Sequence, residues 1–126
     1  MPNILIVDDS HIWRRLAQDI LRKNGYRLFE AESGNQALKI ARETALDLIV
    51  MDYRMDHLDG LDTSRYLREI SGYERVPIIL VTSEDFPGDC AQTPVQYVNG
   101  YIDKKHLIHE LDDCVKLHLE RDLSLA

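Results

Sequence analysis

Long hydrophobic runs are missing from this chain. No stretch approaches the roughly 20 apolar residues that a helix needs to cross a bilayer. No basic leader precedes the first apolar run, which follows Met1, Pro2 and Asn3, so no secretory signal is expected. Cysteine is scarce: Cys90 and Cys114 match no metal or redox spacing and read as reduced thiols of a cytoplasmic protein. Basic charge is in deficit, with 15 Lys and Arg against 22 Asp and Glu and a net charge of -7. An acidic surface repels phosphate backbones, so direct nucleic-acid binding is not expected. Internal repeats, low-complexity segments and interdomain linkers are also missing.

What remains is an ordinary globular composition, 44% hydrophobic and 29% charged. The 126 residues suit one domain, 1–126, long enough to form a core without staples. Short apolar runs alternate with helix-like stretches. Residues 4–7 and 48–51 are wholly apolar, as strands buried on both faces are. Residues 26–31, 77–81 and part of 95–102 read as three further strands. After Ser10 as a cap, Ile12, Leu16 and Ile20, with Trp13 and Ala17 beside them, predict the inner stripe of a first helix ending at Asn24-Gly25. A second helix starts at Ser33 or Asn35 and runs to about Glu43, with Ala37, Leu38, Ile40 and Ala41 inward. A third spans 61–70, between Asp59-Gly60 and Ser71-Gly72. Leu107, Leu111, Cys114 and Val115 mark a last helix. A helix within 83–99 must contend with Pro87, Gly88 and Pro94, so it is expected to be short, shifted or broken. Alternation of this kind implies βαβ units and a parallel sheet covered on both faces.

Ligands of open parallel sheets bind beyond the carboxyl ends of the strands. Asp8 and Asp9 follow the first strand and Asp52 ends the third. Thr82 and Ser83 follow the fourth, and Asp103, Lys104 and Lys105 the fifth. Three carboxylates on one edge repel each other. Either one is kept neutral by a raised pKa or a cation sits among them. All-oxygen ligation suits Mg²⁺. With a metal present, one carboxylate can attack a phosphoryl group, while a lysine and a hydroxyl help to neutralise charge and position the group.

These residues resemble the receiver domains of response regulators. The run Ile4-Leu5-Ile6-Val7-Asp8-Asp9-Ser10 is similar to the family's first strand and acidic pair. Leu48-Ile49-Val50-Met51-Asp52-Tyr53-Arg54-Met55, followed by Asp59-Gly60, resembles its phosphorylation loop. Pro77-Ile78-Ile79-Leu80-Val81-Thr82-Ser83 and Tyr101-Ile102-Asp103-Lys104 resemble its fourth and fifth strands. The likeness covers about residues 3–119. It implies a flavodoxin-like (βα)5 sandwich with strand order 2-1-3-4-5, from which the prolines within 83–99 depart by making the fourth helix atypical. It implies that Asp52 accepts a phosphoryl group from a phosphohistidine on a sensor histidine kinase or histidine phosphotransfer protein. By the same resemblance Asp8, Asp9, Asp52 and the backbone carbonyl of Arg54 hold Mg²⁺. Lys104, Thr82 and Ser83 contact the phosphate, and Tyr101 follows Thr82 inward as a switch. A homodimer through the fourth- and fifth-helix face is a further expectation.

Two family prolines are replaced, by Asp56 after the acceptor and by Lys105 after the lysine. A non-proline cis bond costs about 2.5–4 kcal/mol, which argues for a trans Lys104-Lys105 bond, and the isomer bears on where Lys104 points. Arg54 and Glu84 are expected to pair across the site and tune the phosphoryl lifetime modestly. Three rivals stand against the receiver reading. A haloacid-dehalogenase-type phosphatase wants an aspartate where Arg54 stands, and an FMN module wants no acidic pair after the first strand. A pseudo-receiver, acting by protein contacts alone, is the remaining alternative. The run through residues 120–126 reads either as a frayed tail or as a helix continuing toward an output domain.

Overall fold

A computed structural model describes residues 1–83 and 96–124. Five strands form its sheet: β1 (Asn3–Val7), β2 (Arg27–Ala31), β3 (Leu48–Asp52), β4 (Ile78–Thr82) and β5 (Gly100–Asp103). All neighbours run parallel, in the order β2-β1-β3-β4-β5. This is the flavodoxin-like order that the resemblance to receiver domains implies. The described residues also contain α1 (His11–Arg22), α2 (Gly34–Glu43), α3 (Gly60–Arg68) and α4 (Leu107–Ser124). A short 3-10 turn, Lys104–His106, leads into α4. The helix expected within 83–99 falls largely on residues 84–95, outside the described residues, as do Glu84 and Cys90.

The apolar strand runs explain the layering. Every residue of β3 and β4 is buried. Alternate side chains point to opposite faces, so each strand feeds two cores. Leu5, Val7, Ile49, Met51, Ile78 and Leu80 pack with Ala37, Leu38 and Ala41 of α2 and Leu67 of α3. Ile4, Ile6, Leu48, Val50, Ile79 and Val81 pack with α1 and α4. Leu107, Leu111, Cys114 and Val115 are all buried, as the helical spacing predicts. Cys114 is fully buried in this second core.

Three helices start where a side-chain oxygen accepts an N–H of the first turn. Ser10 accepts from Trp13, Ser33 from Gln36 and Asp59 from Asp62. Each such cap contributes about 1 kcal/mol. α1 differs from its predicted orientation in one respect: Ile12 is 78% exposed and does not join the inner stripe. Arg14, Ala17 and Leu21 are buried instead, flanked by Trp13, Leu16 and Ile20. At 100° per residue, position 12 lies about 140° around the helix from position 17. The i, i+4 row starting at Ile12 drifts away from the face that the sheet covers.

At the sheet edge where the strands begin, Arg68 closes α3. Its guanidinium donates to the carbonyls of Tyr73 at 2.8 Å, Val76 at 2.7 Å and Tyr97 at 3.1 Å, and to Asn99 Oδ1 at 2.9 Å. Asn99 Oδ1 in turn accepts the Ile78 N–H at 2.9 Å. One side chain thus ties the end of α3 to the approaches of both β4 and β5.

Candidate functional site

The opposite edge gathers the chemistry. Asp8 leaves β1, Asp52 is the last residue of β3, Thr82 the last of β4, and Lys104 follows β5. Register makes this convergence necessary: Asp52 lies beside Val81, and Thr82 beside Asp103. Backbone bonds hold the loops at the strand ends. The Asp8 N–H donates to Ala31 O at 3.1 Å and the Tyr53 N–H to Val81 O at 2.8 Å. The Ser10 N–H donates to Asp8 Oδ1 at 2.9 Å, so one acidic side chain is oriented by its own loop.

Asp8, Asp9 and Asp52 each offer a carboxylate oxygen, and these lie within 4.8 Å of one another. Asp8 and Asp52 are buried while Asp9 is exposed. Lys104 Nζ stands 3.4 Å from Asp8 Oδ2 and 3.4 Å from Asp52 Oδ2. A single ammonium therefore faces two buried carboxylates, with a third close by. Burial and then the Asp8 charge push the Asp52 carboxyl up to about 7, against the pull of Lys104. Burial also raises Asp8, opposed by its bond from Ser10 and by Lys104. Both shifts are set first by desolvation, with repulsion between the carboxylates adding to it. Hard oxygen donors, two of them buried and short of counter-charge, fit a hard divalent cation of the Mg²⁺ kind.

The predicted site residues other than Glu84 all lie within the described residues. Asp8, Asp9, Asp52 and Lys104 come together. Thr82 is buried at the end of β4, with exposed Ser83 just beyond it. Tyr101 lies in β5, half-buried against the core half that α2 and α3 cover. Arg54 leaves β3 with its guanidinium 5.9 Å from the Tyr53 ring centre. Its expected partner Glu84 lies outside the described residues. None of the described peptide bonds is cis, so Lys104-Lys105 is trans, and Lys104 nonetheless reaches the cluster.

Two neighbours of the cluster escaped the sequence reading. Arg14 Nη1 donates to the Asp8 carbonyl at 2.7 Å, and its Nε donates to Glu30 Oε1 at 2.8 Å. The Trp13 ring lies beneath the Lys104 ammonium, 4.8 Å from Nζ to the ring centre. The available signal was position: both stand in the first turn of the helix that follows the acidic pair. A charged Arg14 reads as surface, and Trp13 as core, until the tertiary neighbours are known.

Comparison with known proteins agrees with this geometry. The family model described as the response regulator receiver domain matches residues 4–116. The polar-differentiation response regulator DivK of Brucella ovis is 28% identical over 117 residues, which cover 93% of this chain and 95% of DivK. The receiver domain of the sensor histidine kinase PA1611 from Pseudomonas aeruginosa, solved with a magnesium ion in its active-site cleft, superposes with a TM-score of 0.82. It is 31% identical, covering 94% of this chain and 98% of that one. The Vibrio cholerae chemotaxis protein CheY4 gives a TM-score of 0.80 at 26% identity, covering 92% and 97%. With its strand order, its acidic cluster and a match over most of its length, this chain belongs to the response regulator receiver domain family of two-component signalling.

Proposed function

We propose that the chain is a phosphorylation-dependent switch whose phospho-acceptor is Asp52. The observation that carries this reading is the placement of the Lys104 ammonium 3.4 Å from the carboxylate of Asp52, within a cluster completed by Asp8 and Asp9. Asp8, Asp9, Asp52 and the Arg54 carbonyl are the proposed Mg²⁺ ligands. The ion, when bound, supplies positive charge to the oxygens of the transferred group. An Asp52 carboxylate oxygen bonds to phosphorus as the bond from phosphorus to the donor's imidazole nitrogen breaks, and the electron pair leaves with that nitrogen. Lys104 offsets the charge on the incoming oxygens. The hydroxyls of Thr82 and Ser83 donate to the phosphoryl group, and Tyr101 follows Thr82 to repack the surface. Arg54 and Glu84 are assigned to tuning the lifetime of the acyl phosphate.

The donor in this reading is a sensor histidine kinase or a histidine phosphotransfer protein, and the setting is the cytoplasm. Residues 1–126 act as one receiver unit in this reading, and a homodimer through the face of the fourth helix, expected within 83–99, and the last helix is one route for its signal. The test is intact-protein mass after incubation with acetyl phosphate and Mg²⁺. Gain of one phosphoryl group, lost in Asp52→Asn and with chelator, is the expected result. The replacement of two family prolines by Asp56 and Lys105 keeps a second reading, a pseudo-receiver that signals by binding alone. Absence of labelling, under conditions that label another receiver, favours it.

A further inference from the structure

Trp13 is the only tryptophan of the chain. It stands in the first turn of α1, half-buried, three residues after the cap Ser10. Lys104 Nζ lies 4.8 Å from its ring centre and 3.4 Å from an oxygen of each of Asp8 and Asp52. One ammonium thus has an aromatic face on one side and two carboxylates on the other. Asp8, Trp13, Asp52, Val81 and Leu107 also border a single small cavity, so the indole is part of the wall of the site.

The carboxylates hold this ammonium at long range. Their 3.4 Å separations exceed the 2.7–2.9 Å of a charge-assisted hydrogen bond. The lysine stem is flexible and its charge is a point without a preferred direction. The backbone beyond it carries Lys105, whose N–H is taken by Asp103 Oδ1 at 3.0 Å in the 3-10 turn. The indole of α1 adds a restraint on Lys104 that these long carboxylate contacts leave room for. A cation over an indole is attracted by the ring's negative face, and more strongly where water is kept away. The Lys104 side chain is only 15% exposed, which meets that condition.

We propose that Trp13 is a positioning residue for Lys104: its indole face holds the ammonium beside Asp52, so that α1 contributes to phosphoryl acceptance without touching the phosphoryl group. The inference rests on the proposed function for its consequence, but not for its geometry. Two measurements separate the two. The first is the chemical shift of the Lys104 ε-methylene protons, which a ring at this distance moves upfield. The shift is expected in the native protein and is expected to vanish in Trp13→Leu, whether or not the protein accepts a phosphoryl group. The second is the rate of phosphoryl gain from acetyl phosphate at saturating donor. Trp13→Leu is expected to slow it about 3–10-fold, with Trp13→Phe in between because a weaker quadrupole remains. In a Lys104→Ala background the same Trp13→Leu change is expected to cost nothing further. Unshifted ε-methylene protons in the native protein overturn the proposal. So does an equal loss of rate in both backgrounds, which marks Trp13 as packing alone. If the native protein takes no phosphoryl group, the acceptor function fails, while the ε-methylene shift still decides whether Trp13 holds Lys104.

Discussion

Asp52 is placed under two opposed demands. To attack phosphorus it must be ionised, yet its carboxyl is buried beside Asp8, which pushes it up to about 7. The sign of the consequence follows from linkage. A carboxyl in the unfolded chain ionises near pH 4, so above that pH the folded form holds a proton that the unfolded form has released. Stability is therefore lost as pH rises from about 4 to about 7. Asn at this position keeps the shape and cannot ionise. Without metal at pH 8, Asp52→Asn is expected to be more stable than the native protein by about 2–4 kcal/mol, and the gain is expected to disappear near pH 4. Urea unfolding in chelator at both pH values checks this; equal stabilities at pH 8 refute the picture of a cluster short of positive charge.

The elements are positioned by close approaches that leave little slack. Gly60 opens α3 directly under the end of β3, and its N–H donates to the Tyr53 carbonyl at 2.7 Å. A Cβ there would stand 2.6 Å from the Asp52 carbonyl oxygen and 2.8 Å from Leu80 Cδ2. The first obstacle is backbone, which cannot rotate aside. Gly60→Ala is expected to cost about 2–3 kcal/mol as over-packing, despite alanine's better helix propensity. Because the strained atom belongs to Asp52, Mg²⁺ affinity is expected to fall as well. Calorimetric titration with Mg²⁺ beside urea unfolding distinguishes this from a loss confined to stability. Arg65→Ala, on an exposed position of the same helix, serves as the control that leaves both unchanged.

The whole molecule carries a net charge of -7, and part of that acidity is concentrated at one edge of the sheet. A cation that binds the folded chain and not the unfolded one raises stability by mass action. At Mg²⁺ concentrations about 100 times the dissociation constant the gain is about 2.7 kcal/mol. For a domain of this size that corresponds to a rise in Tm of roughly 8–12 °C. Sodium chloride at matched ionic strength is expected to give much less, because it screens charge without occupying the cluster. Asp9→Asn, which removes the exposed member of the set, is expected to lose most of the Mg²⁺ effect. A Tm that rises equally in both salts contradicts a specific site.

Much of this was legible in the residues. Wholly apolar runs of four, placed between helical stripes, determine a doubly covered parallel sheet, because only strands buried on both faces need to be apolar throughout. Acidic residues and a lysine directly after such runs determine which side chains share an edge, since strand ends converge by register. Other features waited for tertiary structure. The outward turn of Ile12, the burial of Arg14 and the Arg68 clamp depend on how each helix rotates against the sheet, and on which carbonyls happen to lie within reach. The contact of Trp13 with Lys104 joins residues 91 positions apart by sequence number. Local patterning determined what the strands and helices are and what lies at their ends. The distances within the site, and the height to which the Asp52 carboxyl is pushed, were decided by burial, because desolvation and short-range attraction exist only once the chain has closed around them.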